Sequence, residues 1–184
     1  MKIDRVVTKR GDKGSTKILS KKNIKKSDIL IESIGSIDEL NSFIGLAKSN
    51  LLNNKKFKNE VNQLNKIQKI LFDIGAEISS LESNNKIIIL TKKIVREIEE
   101  TIKLNNSNLP SLDSFLVPGS GLENAAFHIT RTVCRRVEVN LNKLSIFYKL
   151  NQQSLIYINR LSDLFFVFSR TASKKMKQKE LKWK

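Results

Sequence analysis

The chain has 184 residues, a length suited to one compact domain that buries its own core. Hydrophobic residues make up 40% and charged residues 28%, which excludes a disordered chain. The formal net charge is +16, and the single cysteine, Cys134, excludes an internal disulfide and any multi-cysteine metal site.

No apolar run reaches the roughly 18 residues of a membrane span, and Met1–Gly14 lacks the apolar segment of a secretory signal. A soluble cytoplasmic protein is therefore expected. The excess of positive charge suits nucleic acid, anionic lipid or a polyphosphate ligand. Its lysines are dispersed (Lys21, Lys22, Lys25, Lys26, Lys55, Lys56, Lys92 and Lys93) rather than gathered on one stripe with aromatics between them. The charge thus reads as compositional, filling tolerant surface positions.

Residues 1–30 carry a glycine turn, Arg10-Gly11-Asp12-Lys13-Gly14, and then a lysine-rich stretch, read as an extended arm. Ser36-Ile37-Asp38-Glu39 has the pattern of a capping box with Ser36 as N-cap. The helix it opens sets Ile37, Leu40, Ile44 and Ala47 on one face and ends near Asn53-Asn54. A second helix is predicted over about 57–81, from Val61, Leu64, Ile67, Leu71, Ile74, Ile78 and Leu81 at spacings of three and four.

Thr91 is expected to cap a third helix, with Ile94, Ile98 and Ile102 on one face. Residues 105–121 read as a loop containing Pro110, Pro118, Gly119 and Gly121. A fourth helix is predicted over about 122–144, with Ala126, Ile129, Val133, Val137 and Leu141 as its apolar stripe. The fifth runs from about Gln153 into the 170s through Ile158, Leu161, Phe165 and Phe168, and the basic tail from Lys174 is expected to fray. The pattern predicts an all-α five-helix bundle with an N-terminal glycine-containing arm and no convincing strands, one domain over residues 1–184.

One histidine and one cysteine leave no catalytic Cys/His pair and no all-protein zinc site. His128, in an apolar helical run, reads as a packed or partly exposed histidine, and Cys134 as a small buried filler. Chemistry must then come from the ligands. Anion binding is the chain's offer: Gly11 and Gly14 let backbone approach a phosphate, and Asp12, Lys13, Ser15 and Thr16 surround them. The spacing is not that of a Walker loop. Arg131, Arg135 and Glu138 project from one face of the fourth helix, a pattern that suits either a solvated face or a planar grip on triphosphate. Asn159 and Asp163 share a face of the fifth helix and require partners if buried.

Together these segments resemble the PduO-type ATP:cob(I)alamin adenosyltransferase family along nearly the whole chain. The resemblance is carried by Thr8-Lys9-Arg10-Gly11-Asp12-Lys13-Gly14-Ser15-Thr16, by Gly35 to Ser42, and by Gln68 with Phe72 to Glu77. It continues in Phe115 to Gly119, Arg131 to Glu138 and Tyr157 to Asp163. Six motifs in this order are far more specific than any one.

The resemblance implies a homotrimer that binds ATP between subunits and transfers its adenosyl group to the cobalt of a corrinoid, releasing triphosphate. It implies that Thr8, Lys9, Gly11, Asp12, Lys13, Gly14, Ser15 and Thr16 wrap the triphosphate, and that Arg131, Arg135, Glu138 and Asn159 hold the nucleotide. Asp38 matches an acid that pairs with Arg131 across the subunit boundary. Phe115 matches an aromatic beneath the corrin that helps displace the lower nitrogen ligand, giving four-coordinate cob(II)alamin, which is easier to reduce. Asp38, Phe115 and Arg131 are the implied catalytic residues. Magnesium is implied with the triphosphate, without an assigned protein ligand. A reductase and an acceptor enzyme that uses adenosylcobalamin are the implied protein partners.

Departures from the family pattern are Arg10, Ser15 in place of threonine, Val139 in place of an arginine, and the stretch Lys17 to Lys22 after Thr16. This last predicts a less ordered arm and makes ATP affinity the property most affected. Two other readings are kept: a family member that binds ATP or corrinoid without turnover, as a cofactor chaperone, and a basic helical nucleic-acid binder resting on net charge alone.

Overall fold

The computed structural model describes residues 7, 9, 11–19 and 23–183. Five helices dominate: α1 (Ile29–Ser49), α2 (Lys58–Ser79), α3 (Lys92–Asn106), α4 (Leu122–Leu144) and α5 (Gln152–Met176). This is the predicted helical bundle, and α2, α4 and α5 lie within a few residues of their predicted bounds. No helix among the described residues is long and apolar enough to cross a membrane.

The first helix begins earlier than its capping pattern suggests. Asp28 is the N-cap, its Oδ1 accepting from the Leu30 amide at 2.8 Å. Ser36 lies inside the helix, where its hydroxyl donates to the Ser33 carbonyl at 2.8 Å. The reason is burial: Leu30 and Ser33 continue the stripe of Ile37, Leu40, Ile44 and Ala47 toward the N-terminus. A helix opening at Ser36 would strand Leu30 outside that face.

Thr91 occupies the N-cap position of α3, but its side chain makes no capping bond. On α4 the buried stripe is Ala126, Val133, Val137 and Leu141, joined by Thr130, Cys134 and Leu144, whereas Ile129 is exposed. The helical spacing of Ile129 to Val133 predicts an inward position; with Val139 it instead occupies the outer face.

α4 packs along both α5 and α1, α2 packs on α1, and α3 lies against α5. Leu40, Ile44, Leu64, Leu71, Phe127, Val137, Leu161 and Phe165 fill the space between them. The helices leave short strands at two edges. β1 (Ser15–Lys17) and β2 (Asn23–Lys25) pair antiparallel, so the stretch after Thr16 begins a hairpin. β3 (Leu116–Val117) pairs with β4 (Leu181–Lys182). The tail expected to fray is therefore docked: α5 continues to Met176, and Trp183 N–H donates to the Phe115 carbonyl at 2.8 Å. Two residues per strand, more than sixty apart in the chain, leave no local periodicity to read.

Candidate active site

On α4, positions i, i+4 and i+7 bring Arg131, Arg135 and Glu138 to one side of the helix. Glu138 faces α5, where Asn159 Nδ2 donates to its Oε1 at 2.7 Å. Arg160 Nη1 donates to Asn159 Oδ1 at 2.8 Å, and its Nε donates to Glu99 of α3 at 3.0 Å. This chain of contacts fixes the Asn159 amide and ties three helices together. The partners required of Asn159 are thus Glu138 and Arg160. Sequence reasoning gave no part to Arg160, because a lone arginine beside a polar pair carries no pattern. Asp163, one turn on, lies 3.9 Å from Arg160 and is held above the usual carboxylate range chiefly by partial burial. A cleft of ≈ 230 Å³ opens beside Glu138 and Asn159, with Leu141, Leu155 and Ile158 on its walls.

Arg131 is half-buried and its side chain makes no hydrogen bond among the described residues; its Nε is shut off from solvent without an acceptor. Partial burial, and then the Arg135 charge, pull it below the usual arginine range. A donor left unmatched in this way is costly unless something outside the single chain supplies the acceptor. Asp38 stands exposed on α1, while its neighbour Glu39 pairs with Arg136 of α4 at 2.7 Å.

His128 precedes Arg131 by one turn and is packed, as its apolar run predicts. Its ring meets Phe166 edge-on at 6.2 Å, and neither nitrogen has a partner. Burial, and then the Arg131 charge, lower it from 6.5 to about 4. The unfolded chain therefore takes up this proton first as pH falls, so stability declines between about 6.5 and about 4 and regains its plateau above. Melting temperatures measured across that range should fall with acid in the wild type and fall less in His128→Leu.

Cys134 is buried, donating to the Ile158 carbonyl at 3.3 Å, and burial raises its thiol so far that it is inert. Among the described residues no three His, Cys, Asp or Glu side chains gather to hold a metal.

The glycine turn lies elsewhere in the chain. Gly14 N–H donates to the Gly11 carbonyl at 3.2 Å, and Gly14 sits at φ 76°, a region that favours glycine. Lys13 and Asp12 are exposed, Ser15 and Thr16 half-buried. Lys26, read from the sequence only as one of the dispersed surface lysines, brings its ammonium over the turn, 2.9 Å from where a Gly11 Cβ would stand. The exposed Lys9 is also described, whereas Thr8 and Arg10 lie outside the described residues. Thr16, Lys17, Ile18 and Leu19 line one open cleft with Ile31, Ile34 and Gly35 of α1 and Ser79 of α2. Within one chain the glycine turn, which leads into β1, and the α4–α5 seam are thus carried by different elements.

Phe115 stands in the loop before α4, 79% exposed, tilted against Trp183 with ring centroids 6.3 Å apart. Asn124 pins the loop: its Oδ1 accepts from the Gly119 and Ser120 amides, and its Nδ2 donates to the Ser169 carbonyl and Ser173 hydroxyl. An exposed aromatic on a braced loop is a surface for a flat apolar ligand.

Fold and site together define an α-helical bundle with a seam that carries two arginines, a glutamate and an asparagine, a glycine turn and a displayed aromatic. The chain belongs to the family described as Cobalamin adenosyltransferase, whose profile matches residues 6–172. It is 36% identical over 169 residues to the corrinoid adenosyltransferase of Bacillus subtilis (strain 168), covering 92% of this chain and 86% of that protein. A cobalamin adenosyltransferase of Cupriavidus metallidurans is 36% identical over 174 residues, with 94% and 90% covered. Among solved structures, a variant of the PduO-type ATP:corrinoid adenosyltransferase from Lactobacillus reuteri, complexed with cobalamin and ATP, superposes with a TM-score of 0.92. It is 32% identical, and the match covers 98% of this chain and 99% of that one.

Proposed function

We propose that this protein transfers the 5′-deoxyadenosyl group of ATP to the cobalt of cob(I)alamin, forming adenosylcobalamin and triphosphate. The observation that carries the reading is the α4–α5 seam: Glu138 bonded to Asn159 beside Arg135 and an Arg131 whose Nε has no acceptor. Membership of the cobalamin adenosyltransferase family supports it.

Cobalt is the nucleophile: a Co–C bond forms at C5′ as the C5′–O bond breaks, and triphosphate carries away the electron pair. The protein contributes no base; it orients the two substrates and neutralises the leaving group. Arg131 and Arg135 grip phosphates, Glu138 and Asn159 hold the nucleoside side, and Lys9, Gly11, Asp12, Lys13, Gly14, Ser15 and Thr16 wrap the triphosphate, with Thr8 beside them. Lys26 adds charge over the same turn. Phe115 faces the corrin and helps displace its lower nitrogen ligand. Magnesium arrives with the triphosphate and needs no cage of protein carboxylates.

A homotrimer with sites between subunits fits these parts. Asp38 of one copy supplies the acceptor that Arg131 of the next lacks, and the glycine turn of one meets the seam of the other. Exposed Leu122, Ile129 and Val139 on α4 give such an interface its apolar area. The working protein is one cytoplasmic domain, with a reductase upstream and an acceptor of adenosylcobalamin downstream.

Anaerobic turnover with magnesium-ATP and chemically reduced cob(I)alamin tests the reading, followed by corrinoid absorption and triphosphate release. One triphosphate per adenosylcobalamin is expected, with activity lost on chelating magnesium. A folded protein that binds ATP or corrinoid without product would instead be a cofactor chaperone. Binding of neither ligand, with salt-sensitive binding of oligonucleotide, would point to nucleic acid.

A further inference from the structure

After Met176 the chain leaves α5 through Lys177, at φ 56°, and runs back as a strap over the loop that carries Phe115. Backbone pairing joins β4 to β3 and Trp183 to Phe115. Gln178 lies against Gly121 so closely that a Cβ there would meet its side-chain nitrogen at 2.0 Å. At the surface, Lys182 pairs with Asp113 at 2.6 Å.

The interior contact is Arg170 of α5, only 4% exposed. Its Nη2 donates to the Pro110 carbonyl at 2.8 Å, and its Nε pairs with Glu180 Oε2 at 3.5 Å. Pro110 begins the segment leading to Phe115, and Glu180 immediately precedes β4, which pairs with the strand that follows Phe115. One guanidinium therefore spans both sides of the frame that holds the aromatic. The other oxygen of Glu180 and the amide oxygen of Gln178 are buried without partners. Among the described residues Arg170 is the one cation paired with the Glu180 carboxylate. A carboxylate drawn out of water and matched on one side depends heavily on that cation.

We infer that Arg170 is a positioning residue for the adenosyl transfer: by holding Pro110 and Glu180 together it fixes the strap, and through the strap the height of the Phe115 ring. This rests on the reading of Phe115 as the corrin-facing aromatic. Arg170 touches neither substrate in this account; it acts through β3 and β4.

Arg170→Ala risks the fold, because it empties a buried position and removes the partner of the Pro110 carbonyl and the Glu180 carboxylate together. Glu180→Ala releases the strap while leaving the Arg170–Pro110 bond, and Glu180→Gln keeps an acceptor. The experiment compares these with Phe115→Ala and wild type, using cob(II)alamin and magnesium-ATP without oxygen. Three readouts are taken: the absorption of four-coordinate cob(II)alamin, ATP affinity, and emission of Trp183, the chain's single tryptophan. Glu180→Ala is expected to shift the Trp183 emission and to lower the four-coordinate yield about fivefold or more, with ATP affinity within about twofold. Glu180→Gln should fall between it and wild type.

Wild-type four-coordinate yield in Glu180→Ala, while Phe115→Ala loses it, would overturn the role of Arg170 and leave that of Phe115 standing. Parallel loss of ATP affinity and four-coordinate yield would make Arg170 merely structural. Undiminished yield in Phe115→Ala would remove the aromatic reading itself, and the inference with it.

Discussion

Arg131→Ala is expected to lower turnover by about 10²-fold or more, the usual effect of deleting a positioned charge that meets a leaving group. The fold should not suffer. The Arg131 side chain makes no hydrogen bond among the described residues, and its Nε is buried without an acceptor, so within one chain the truncation removes an unmatched donor rather than a hydrogen bond. Far-ultraviolet dichroism and the melting temperature should therefore stay near wild type while kcat falls. Arg131→Lys should recover only part of the loss, since a lysine keeps the charge without the planar fork. Wild-type kcat/KM in Arg131→Ala would take this residue out of the site and leave Arg135 as the principal phosphate ligand. A drop in subunit association that parallels the loss of activity would instead put its main role in pairing with the acid of a neighbouring copy.

The largest effect on stability is expected at Glu77, which lies outside the site. Its Oε1 accepts from the Ile89 amide at 2.5 Å, the Leu90 amide at 2.7 Å and Asn151 Nδ2 at 3.0 Å, and its Oε2 accepts from the Ser154 hydroxyl. One buried carboxylate therefore stitches the end of α2 to the segment before α3 and to the first turn of α5. Glu77→Ala would leave the Ile89 and Leu90 amides and the Ser154 hydroxyl unmatched at once and would leave Asn151 Nδ2 only the Leu90 carbonyl, at a cost of roughly 3–5 kcal/mol. For a chain of this size that lowers the melting temperature by roughly 10 °C. Glu77→Gln, which keeps one acceptor oxygen, should lose distinctly less. A melting temperature within a degree of wild type for Glu77→Ala would mean that water replaces the carboxylate without loss.

Glu77 also marks a limit of reading along the chain. Its neighbours Ile74 and Ile78 announce a buried helix face, and Glu77 was noticed only as part of a motif. Nothing local says that its acceptors serve amides twelve and thirteen residues on. Arg170 is the same case: a basic residue at the end of an apolar run reads as surface, yet it is buried because Pro110 and Glu180 converge on it. Asn124 and Trp183 escaped for the same reason, their partners lying on other elements. Arg131, Arg135, Glu138 and Asn159 were legible because helical spacing puts the first three on one face, and because their order matches a family pattern. That Glu138 and Asn159 bond directly could not be read from spacing, since it depends on how far α4 and α5 rotate about their axes.

By itself the sequence determined the five helices, since apolar residues at spacings of three and four demand a buried stripe whatever lies opposite. It also determined the family, through six motifs in order. Several local signals misled, Ile129 and the Thr91 cap among them. Ser36-Ile37-Asp38-Glu39 has the chemistry of a helix start, but burying Leu30 and Ser33 draws the helix back to Asp28. The basic tail has the composition of a frayed end, yet it is docked. Tertiary structure alone decided these points. The physical reason is common to all of them: periodicity reports which face of a segment avoids water, whereas a cap, a strand pair or a buried ion pair is decided by partners that packing brings from distant parts of the chain.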